Sequence, residues 1–283
     1  MKIIDANYIL TCNDDFEVLK NCAVCFDKII LDIDKLKNLS QKYPEAKVIT
    51  LPKNSVLMPG LINTHVHLEF SANKTTLSYG NFVQWLYSVI ENREELVENA
   101  SEELIDKELK KMIQNGTTTI GAISSYGFDM NSCIKSALNV VYFTEALGSK
   151  QEMIDTLYQD FQAKLKSALS NKKDNFIPAI AIHSPYSTHP FLIREILNIA
   201  KQSNIPVSAH FMESKAENDW LNYSSGEFEV FFKEMLGQSV SLCKPNEFLN
   251  LFKNVKNLSF THCVEANKEE LEQIKELDAT IIH

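Results

Sequence analysis

Met58-Pro59-Gly60-Leu61-Ile62-Asn63-Thr64-His65-Val66-His67 joins an apolar run to two histidines that stand one residue apart. Side chains at positions i and i+2 of a β-strand point to the same face, so these two imidazoles can face one point in space. Imidazole is the commonest metal ligand in proteins, although a histidine pair also occurs on solvated strand edges. The pair therefore supplies half of a candidate metal site.

Further histidines close short apolar runs of strand length. Four of them do so: His183, His210, His262 and His283. A titratable residue at the end of one buried strand after another is difficult to explain by packing alone. Active sites of (β/α) barrels lie at the carboxyl ends of the strands, so the pattern favours such a barrel.

The order of apolar segments supports the same architecture. Residues 1–55 contain short β-like runs with little helical period, which predicts a small β-rich domain. From residue 56 to residue 283, strand-length runs alternate with segments of helical period, as in βαβ units. The predicted barrel strands are 56–63, 117–123, 140–146, 176–182, 205–209, 258–261 and 279–282. The predicted helices are two within 81–114, then 151–169, 189–203, 213–221, 246–255 and 267–277. The expected fold is α/β, a TIM-type (β/α) barrel with about seven of its eight strands.

Composition narrows the possible partners. The chain of 283 residues is 45% hydrophobic and 23% charged, which is typical of a globular protein. A net charge of -9 argues against nucleic acid, and no apolar run approaches the roughly 18 residues of a membrane span. Early charge argues against a signal peptide, and six cysteines in a chain of this length are expected to be reduced. We expect a cytoplasmic protein with a small-molecule substrate. Whether identical chains assemble into a homo-oligomer is left open.

The motifs taken together resemble the amidohydrolase superfamily, and within it the deaminase/chlorohydrolase branch that includes aminofutalosine and S-adenosylhomocysteine deaminases. They occur in chain order and are the 58–67 stretch, His183-Ser184-Pro185-Tyr186-Ser187, His210-Phe211-Met212-Glu213 and Thr261-His262. The resemblance implies one divalent metal ion, Zn²⁺ or Fe²⁺. It also implies deamination of an adenine-type ring of a nucleoside-like substrate, of the aminofutalosine, S-adenosylhomocysteine or methylthioadenosine class, by metal-bound hydroxide with loss of ammonia.

The resemblance further implies a role for individual residues. It makes three histidines the metal ligands: His65, His67 and His210. Glu213 is expected to carry protons to the ring and to the departing ammonia, and His262 to orient or help deprotonate the water. His183 is expected to contact substrate. Taken alone, Glu213 could also be an acid in the first turn of a helix, and His183 could cap a loop.

The resemblance also implies an aspartate ligand at the end of an eighth strand. The last predicted strand is the seventh, and Asp278 precedes it, so this carboxylate is expected at the opposite end of the barrel. We therefore expect a C-terminally truncated chain with unpaired strand edges and no more than trace activity alone. Two alternatives stay open: a catalytically incomplete fragment, and a cyclic-amide hydrolase, a class that usually needs a carboxylated lysine where this chain has His183.

Overall fold

Residues 1–61 form a mixed β-sheet in the computed structural model, which describes residues 1–283 and divides into two units after Leu61. The strands are β1 (Lys2–Leu10), β2 (Val18–Phe26), β3 (Ile30–Asp34), β4 (Lys47–Thr50) and β5 (Val56–Leu57). Strands β1, β2 and β3 are antiparallel neighbours, while β4 and β5 run parallel to β1. Paired Ile3 and Cys25 pack with Leu39 of the short helix α1 (Leu36–Lys42). The predicted small β-rich domain is confirmed.

The second unit, Ile62–His283, contains a parallel sheet of seven strands that follow one another in chain order. They are β6 (Leu61–Val66), β7 (Thr117–Ser124), β8 (Asn139–Ala146), β9 (Phe176–Ile182), β10 (Val207–Phe211), β11 (Leu258–His262) and β12 (Thr280–Ile282). Helices connect successive strands, as parallel pairing requires. This arrangement confirms the predicted incomplete TIM-type barrel.

Nine α-helices belong to the second unit. They are α2 (Phe82–Asn99), α3 (Glu102–Gln114), α4 (Met130–Lys135), α5 (Ile154–Ser170), α6 (Pro190–Ser203), α7 (Lys215–Tyr223), α8 (Glu227–Leu236), α9 (Pro245–Leu251) and α10 (Lys268–Glu276). Helices α4 and α8 lie outside the predicted segments. Six residues are too few to show a helical period in α4, but α8 carries Phe228, Phe231 and Phe232 at helical spacing. None of the helices is long and apolar enough to cross a bilayer.

The first predicted barrel strand, 56–63, is wrong in its bounds. Val56 and Leu57 pair with β1 of the first unit, and the barrel strand β6 begins only at Leu61. The break falls at Pro59-Gly60, where proline has no backbone N–H to donate to a ladder. His65 therefore lies inside β6, and His67 follows its last residue.

Alternation along the strands determines which side chains face the barrel interior. On β8, Tyr142 packs with side chains of the surrounding helices, whereas Phe143 packs with residues of β7 and β9. Glu145 stands two residues after Phe143, so it points to the interior at the carboxyl end of the strand. On each strand, the side chains that face the barrel interior thus form a row, and these rows end at the same edge of the barrel.

Strands β6 and β7 approach each other very closely at Gly121. A Cβ atom at this position would lie 2.2 Å from the carbonyl oxygen of Thr64. No side chain fits there, so the glycine is required by space and not by an unusual backbone conformation. The residue after Thr64 is His65, which places this close approach next to the candidate site.

Candidate active site

Three imidazoles converge at the carboxyl ends of β6 and β10. The Nε2 atom of His65 lies 3.1 Å from Nε2 of His67 and 3.1 Å from Nε2 of His210. The two ligand candidates from β6 share a strand face, and His210 ends the interior row of β10. The structure thus brings together the three histidines expected from the sequence to hold a metal.

Burial keeps these rings neutral. It lowers the pKa of His65 to about 4 and that of His67 to about 3, and it lowers the pKa of His210 well below its ordinary value. The Nδ1–H of His210 donates to the carbonyl oxygen of His183 at 2.6 Å. A neutral imidazole carries one proton, so the Nε2 atom of His210 presents a lone pair to the centre of the cluster.

This donor set fits a divalent cation. Three neutral imidazoles offer nitrogen donors, and Zn–N bonds of about 2.0–2.1 Å in tetrahedral geometry place ligand nitrogens about 3.3 Å apart. The two 3.1 Å distances from His65 Nε2 are close to this spacing, whereas the ligand atoms that all lie within 4.8 Å of one another are those of His65, His210 and His262 and do not include His67.

Glu213 and His262 form a pair beside the imidazole cluster. His262 Nε2 lies 3.4 Å from Glu213 Oε1, and the ligand atoms of His65, His210 and His262 lie within 4.8 Å of one another. Burial raises the pKa of Glu213 to about 7. A carboxyl group with that pKa exchanges a proton readily near neutrality.

The positions of Glu213 and His262 both depend on residues whose backbone lies in the left-handed region. Met212, between β10 and Glu213, has φ 51°, and His262, the last residue of β11, has φ 78°. Left-handed backbone is uncommon for residues other than glycine and is concentrated at functional sites. These turns direct Glu213 and His262 toward the cluster instead of along their strands.

His183 follows β9 and supports the site in two ways. Its carbonyl oxygen accepts the ring N–H and, at 3.0 Å, the backbone N–H of His210. Its own Nδ1 lies 2.6 Å from Ser187 Oγ and 3.1 Å from Ser184 Oγ. Burial lowers the pKa of His183 to about 4, so this ring is neutral as well. The structure places it 5.2 Å from His210, measured between ring centroids.

The remaining candidate residues are not among the three converging imidazoles. His189 accepts the N–H of Phe191 as the N-cap of α6, which is a structural role. Asp278 precedes β12, at the end of the strand opposite to the histidines, as the sequence predicts. His283 is exposed, and its Nδ1 donates to the carbonyl oxygen of His262 at 3.1 Å.

Two buried acids beside the cluster are not predicted from the sequence. Glu145 accepts a hydrogen bond from Ser125 Oγ, and its other oxygen lies 3.9 Å from His210 Nδ1. Glu69 accepts backbone N–H groups of Ser125 and Gly127, each at 2.7 Å. Burial raises the pKa of Glu145 to about 7 and also raises that of Glu69. Glu145 ends a predicted strand, as the histidines do, and that position is the signal by which it could have been found.

Comparison with known proteins agrees with this geometry. A model of the amidohydrolase family matches residues 56–280. The aminodeoxyfutalosine deaminase of a Nitratiruptor species is 47% identical over 283 residues, all of this chain and 69% of that protein. The adenosine deaminase of Helicobacter pylori is 36% identical over 277 residues, 97% of this chain and 66% of that protein.

A solved structure is similar over nearly the whole chain. The crystal structure of Helicobacter pylori aminofutalosine deaminase in complex with methylthio-coformycin matches with a TM-score of 0.92 and 34% identity, covering 99% of this chain and 69% of that chain. The present chain therefore spans about two thirds of the length of these relatives.

Proposed function

Because the chain belongs to the amidohydrolase family, we propose that it is a metal-dependent deaminase of an adenine-type ring in a nucleoside-like substrate. Substrates of the aminofutalosine, S-adenosylhomocysteine or methylthioadenosine class are the ones we expect. In the reaction, water adds oxygen to the ring carbon and the amino group leaves as ammonia. The observation that carries the proposal is the placement of the Glu213–His262 pair beside three converging imidazoles.

We propose that His65, His67 and His210 hold one divalent ion, Zn²⁺ or Fe²⁺. The 3.1 Å distances from His65 Nε2 to Nε2 of His67 and of His210, and the lowered pKa values of the rings, support this ligand set. Such an ion supplies Lewis acidity that lowers the pKa of a water molecule to about 7. The Nδ1–H of His210, held by the carbonyl oxygen of His183, fixes the tautomer in which Nε2 is free to bind.

Glu213 is proposed to move the protons. With a pKa near 7 it can take one proton from water and deliver it to a ring nitrogen, and then take the second proton from the added hydroxyl group and deliver it to the departing amino group. His262, 3.4 Å from the Glu213 carboxylate, orients the same water. His183 contacts substrate through the ring nitrogen that is not held by Ser187.

The other functions considered are less well supported. A cyclic-amide hydrolase of this superfamily usually carries a carboxylated lysine at the end of the fourth barrel strand, and this chain has His183 after β9. The two relatives and the solved structure named above are deaminases. We also propose action in the cytoplasm, which agrees with six cysteines that are all unpaired in the structure.

Ammonia release tests the proposed function. The full-length protein, loaded with Zn²⁺ or Fe²⁺, is expected to deaminate at least one of aminofutalosine, S-adenosylhomocysteine, methylthioadenosine and adenosine. Glu213→Gln serves as the matched inactive control. Calorimetric titration with methylthio-coformycin, which the Helicobacter pylori relative binds, gives a second readout that needs no turnover. The absence of both ammonia release and inhibitor binding would refute the proposal.

A further inference from the structure

A second acid stands behind Glu213 at the start of α7. The side chain of Glu217 is fully buried, and its Oε2 atom accepts the backbone N–H of Glu213 at 2.8 Å. Only Met212, Glu213 and Ser214 separate β10 from α7. A buried carboxyl group is costly, so its placement under this short connection requires an explanation.

Helix capping explains only part of this contact. Ser214-Lys215-Ala216-Glu217 has the spacing of a capping box, and Ser214 Oγ accepts the N–H of Glu217 at 3.3 Å. In an ordinary box the acid reaches back to the N–H of the N-cap residue itself. Glu247 does this at Lys244 (2.9 Å) and Glu270 does it at Asn267 (2.8 Å). Glu217 instead passes over Ser214 and binds the N–H one residue earlier, which belongs to Glu213.

The peptide group between Met212 and Glu213 is held on both sides. Its N–H donates to Glu217, and its carbonyl oxygen, on Met212, accepts the N–H of Glu265 at 2.9 Å. Glu265 belongs to the segment that follows β11, shortly after His262 and Cys263. Met212 is in left-handed backbone, which costs energy for a residue other than glycine and persists only where neighbouring contacts hold it. The two hydrogen bonds are such contacts.

We propose that Glu217 is a positioning residue that fixes the plane of the Met212–Glu213 peptide and so keeps the Glu213 carboxylate beside His262. The inference rests on the proposed proton-carrying role of Glu213. Rotation of this peptide changes the backbone angles of Glu213 and swings its side chain away from the Nε2 atom that now lies 3.4 Å from it.

Three variants of Glu217 test the inference. Glu217→Ala removes the acceptor. Glu217→Asp keeps the acid but is one methylene too short to reach, and Glu217→Gln keeps an oxygen at the same reach. Glu247→Ala is the matched control, because it removes an acid that accepts a cap N–H at 2.9 Å on α9, away from the cluster. Metal content and thermal unfolding are measured on every variant.

The first readout is hydrogen exchange of the Glu213 amide, which does not depend on catalysis. Exchange is expected to accelerate about 10-fold or more in Glu217→Ala and Glu217→Asp, because the amide loses its acceptor, and to stay near wild type in Glu217→Gln and Glu247→Ala. Unchanged exchange in the two disruptive variants would mean that Glu217 does not hold this peptide.

The second readout is turnover in the full-length protein. In Glu217→Ala and Glu217→Asp we expect kcat to fall about 10-fold to 100-fold with metal content and KM nearly unchanged, the scale for a catalytic group displaced by about 1 Å. Glu217→Gln should retain a kcat near that of the wild-type protein. Accelerated exchange with normal kcat in the disruptive variants overturns the positioning role and leaves only a structural contact before α7. Absence of turnover in the wild-type protein instead contradicts the proposed function. Hydrogen exchange of the Glu213 amide then still tests whether Glu217 holds the Met212–Glu213 peptide.

Discussion

Replacing Gly121 by alanine should displace the metal centre without touching any of its ligands. A Cβ atom at this position would lie 2.2 Å from the Thr64 carbonyl oxygen, and ordinary contact begins at 3.4 Å, so β6 must move by about 1.2 Å at Thr64. His65 is the next residue. Metal–ligand distances tolerate only about 0.2 Å, so the ring cannot follow this shift and keep its geometry.

The expected loss of metal affinity is about 10-fold to 100-fold, the scale for a ligand whose support is disturbed. Overpacking should also cost about 1–3 kcal/mol of folding free energy. Gly116→Ala is the control, because this glycine precedes the same strand β7, has φ 90° and has no atom within 4 Å of a new Cβ. It should destabilise through backbone strain by about 1–2 kcal/mol and leave metal affinity unchanged.

Zn²⁺ affinity is measured by competition with a chelator, and stability by urea unfolding, for wild type and both variants. The expected result separates the two effects: similar losses of stability, but loss of affinity only in Gly121→Ala. Wild-type affinity in Gly121→Ala would show that the close approach of β6 and β7 does not determine the position of His65.

Three further outcomes are expected. His65→Ala or His210→Ala should remove bound Zn²⁺ or Fe²⁺ and leave the fold intact. His189→Ala is the control, because this residue caps a helix, and it should keep the metal. Unchanged metal stoichiometry in the first two variants would count against the ligand set. Glu213→Gln should retain the metal and lose about 10²-fold or more in kcat, and near-normal turnover would return Glu213 to a capping role. Burial raises the pKa of Glu217 from 4.5 to about 8, so the folded state binds this proton more tightly than the unfolded state does. The contribution of Glu217 to the unfolding free energy should therefore fall as pH rises across that window. Urea unfolding of Glu217→Gln should show a smaller fall, because the raised pKa values of Glu213 and Glu145 still contribute in the same pH range. An identical pH dependence in both proteins would contradict the burial argument.

The sequence predicts the barrel because its periodicities are local. Alternating strand and helix patterns need no knowledge of distant contacts, and a histidine at a strand end indicates its place at the rim. Thus the sequence alone is enough to assign His210 and His262 to one rim. The predicted single strand at 56–63 is wrong for a local reason too, because one apolar run continues across Pro59-Gly60 and covers the ends of two strands.

The buried acids escape prediction because their partners are distant in the chain. Glu69 is held by N–H groups that lie 56 to 58 residues later, and nothing near it marks a carboxylate as buried. Glu217 shows the reverse difficulty: its capping-box spacing is visible, but which N–H it binds depends on the left-handed turn at Met212. Residue identity at a strand end is readable from sequence, whereas the hydrogen-bond network behind it is not.

The hydrogen bond from the His210 ring to the carbonyl oxygen of His183 has a consequence for mutational tolerance. Every amino acid has that carbonyl, so no substitution at position 183 deletes the group that sets the His210 tautomer. Selection can therefore change the side chain at 183, the proposed substrate contact, while the proposed metal ligand His210 keeps its protonation state. A site built in this way separates the part that is free to diversify from the part that has to stay constant.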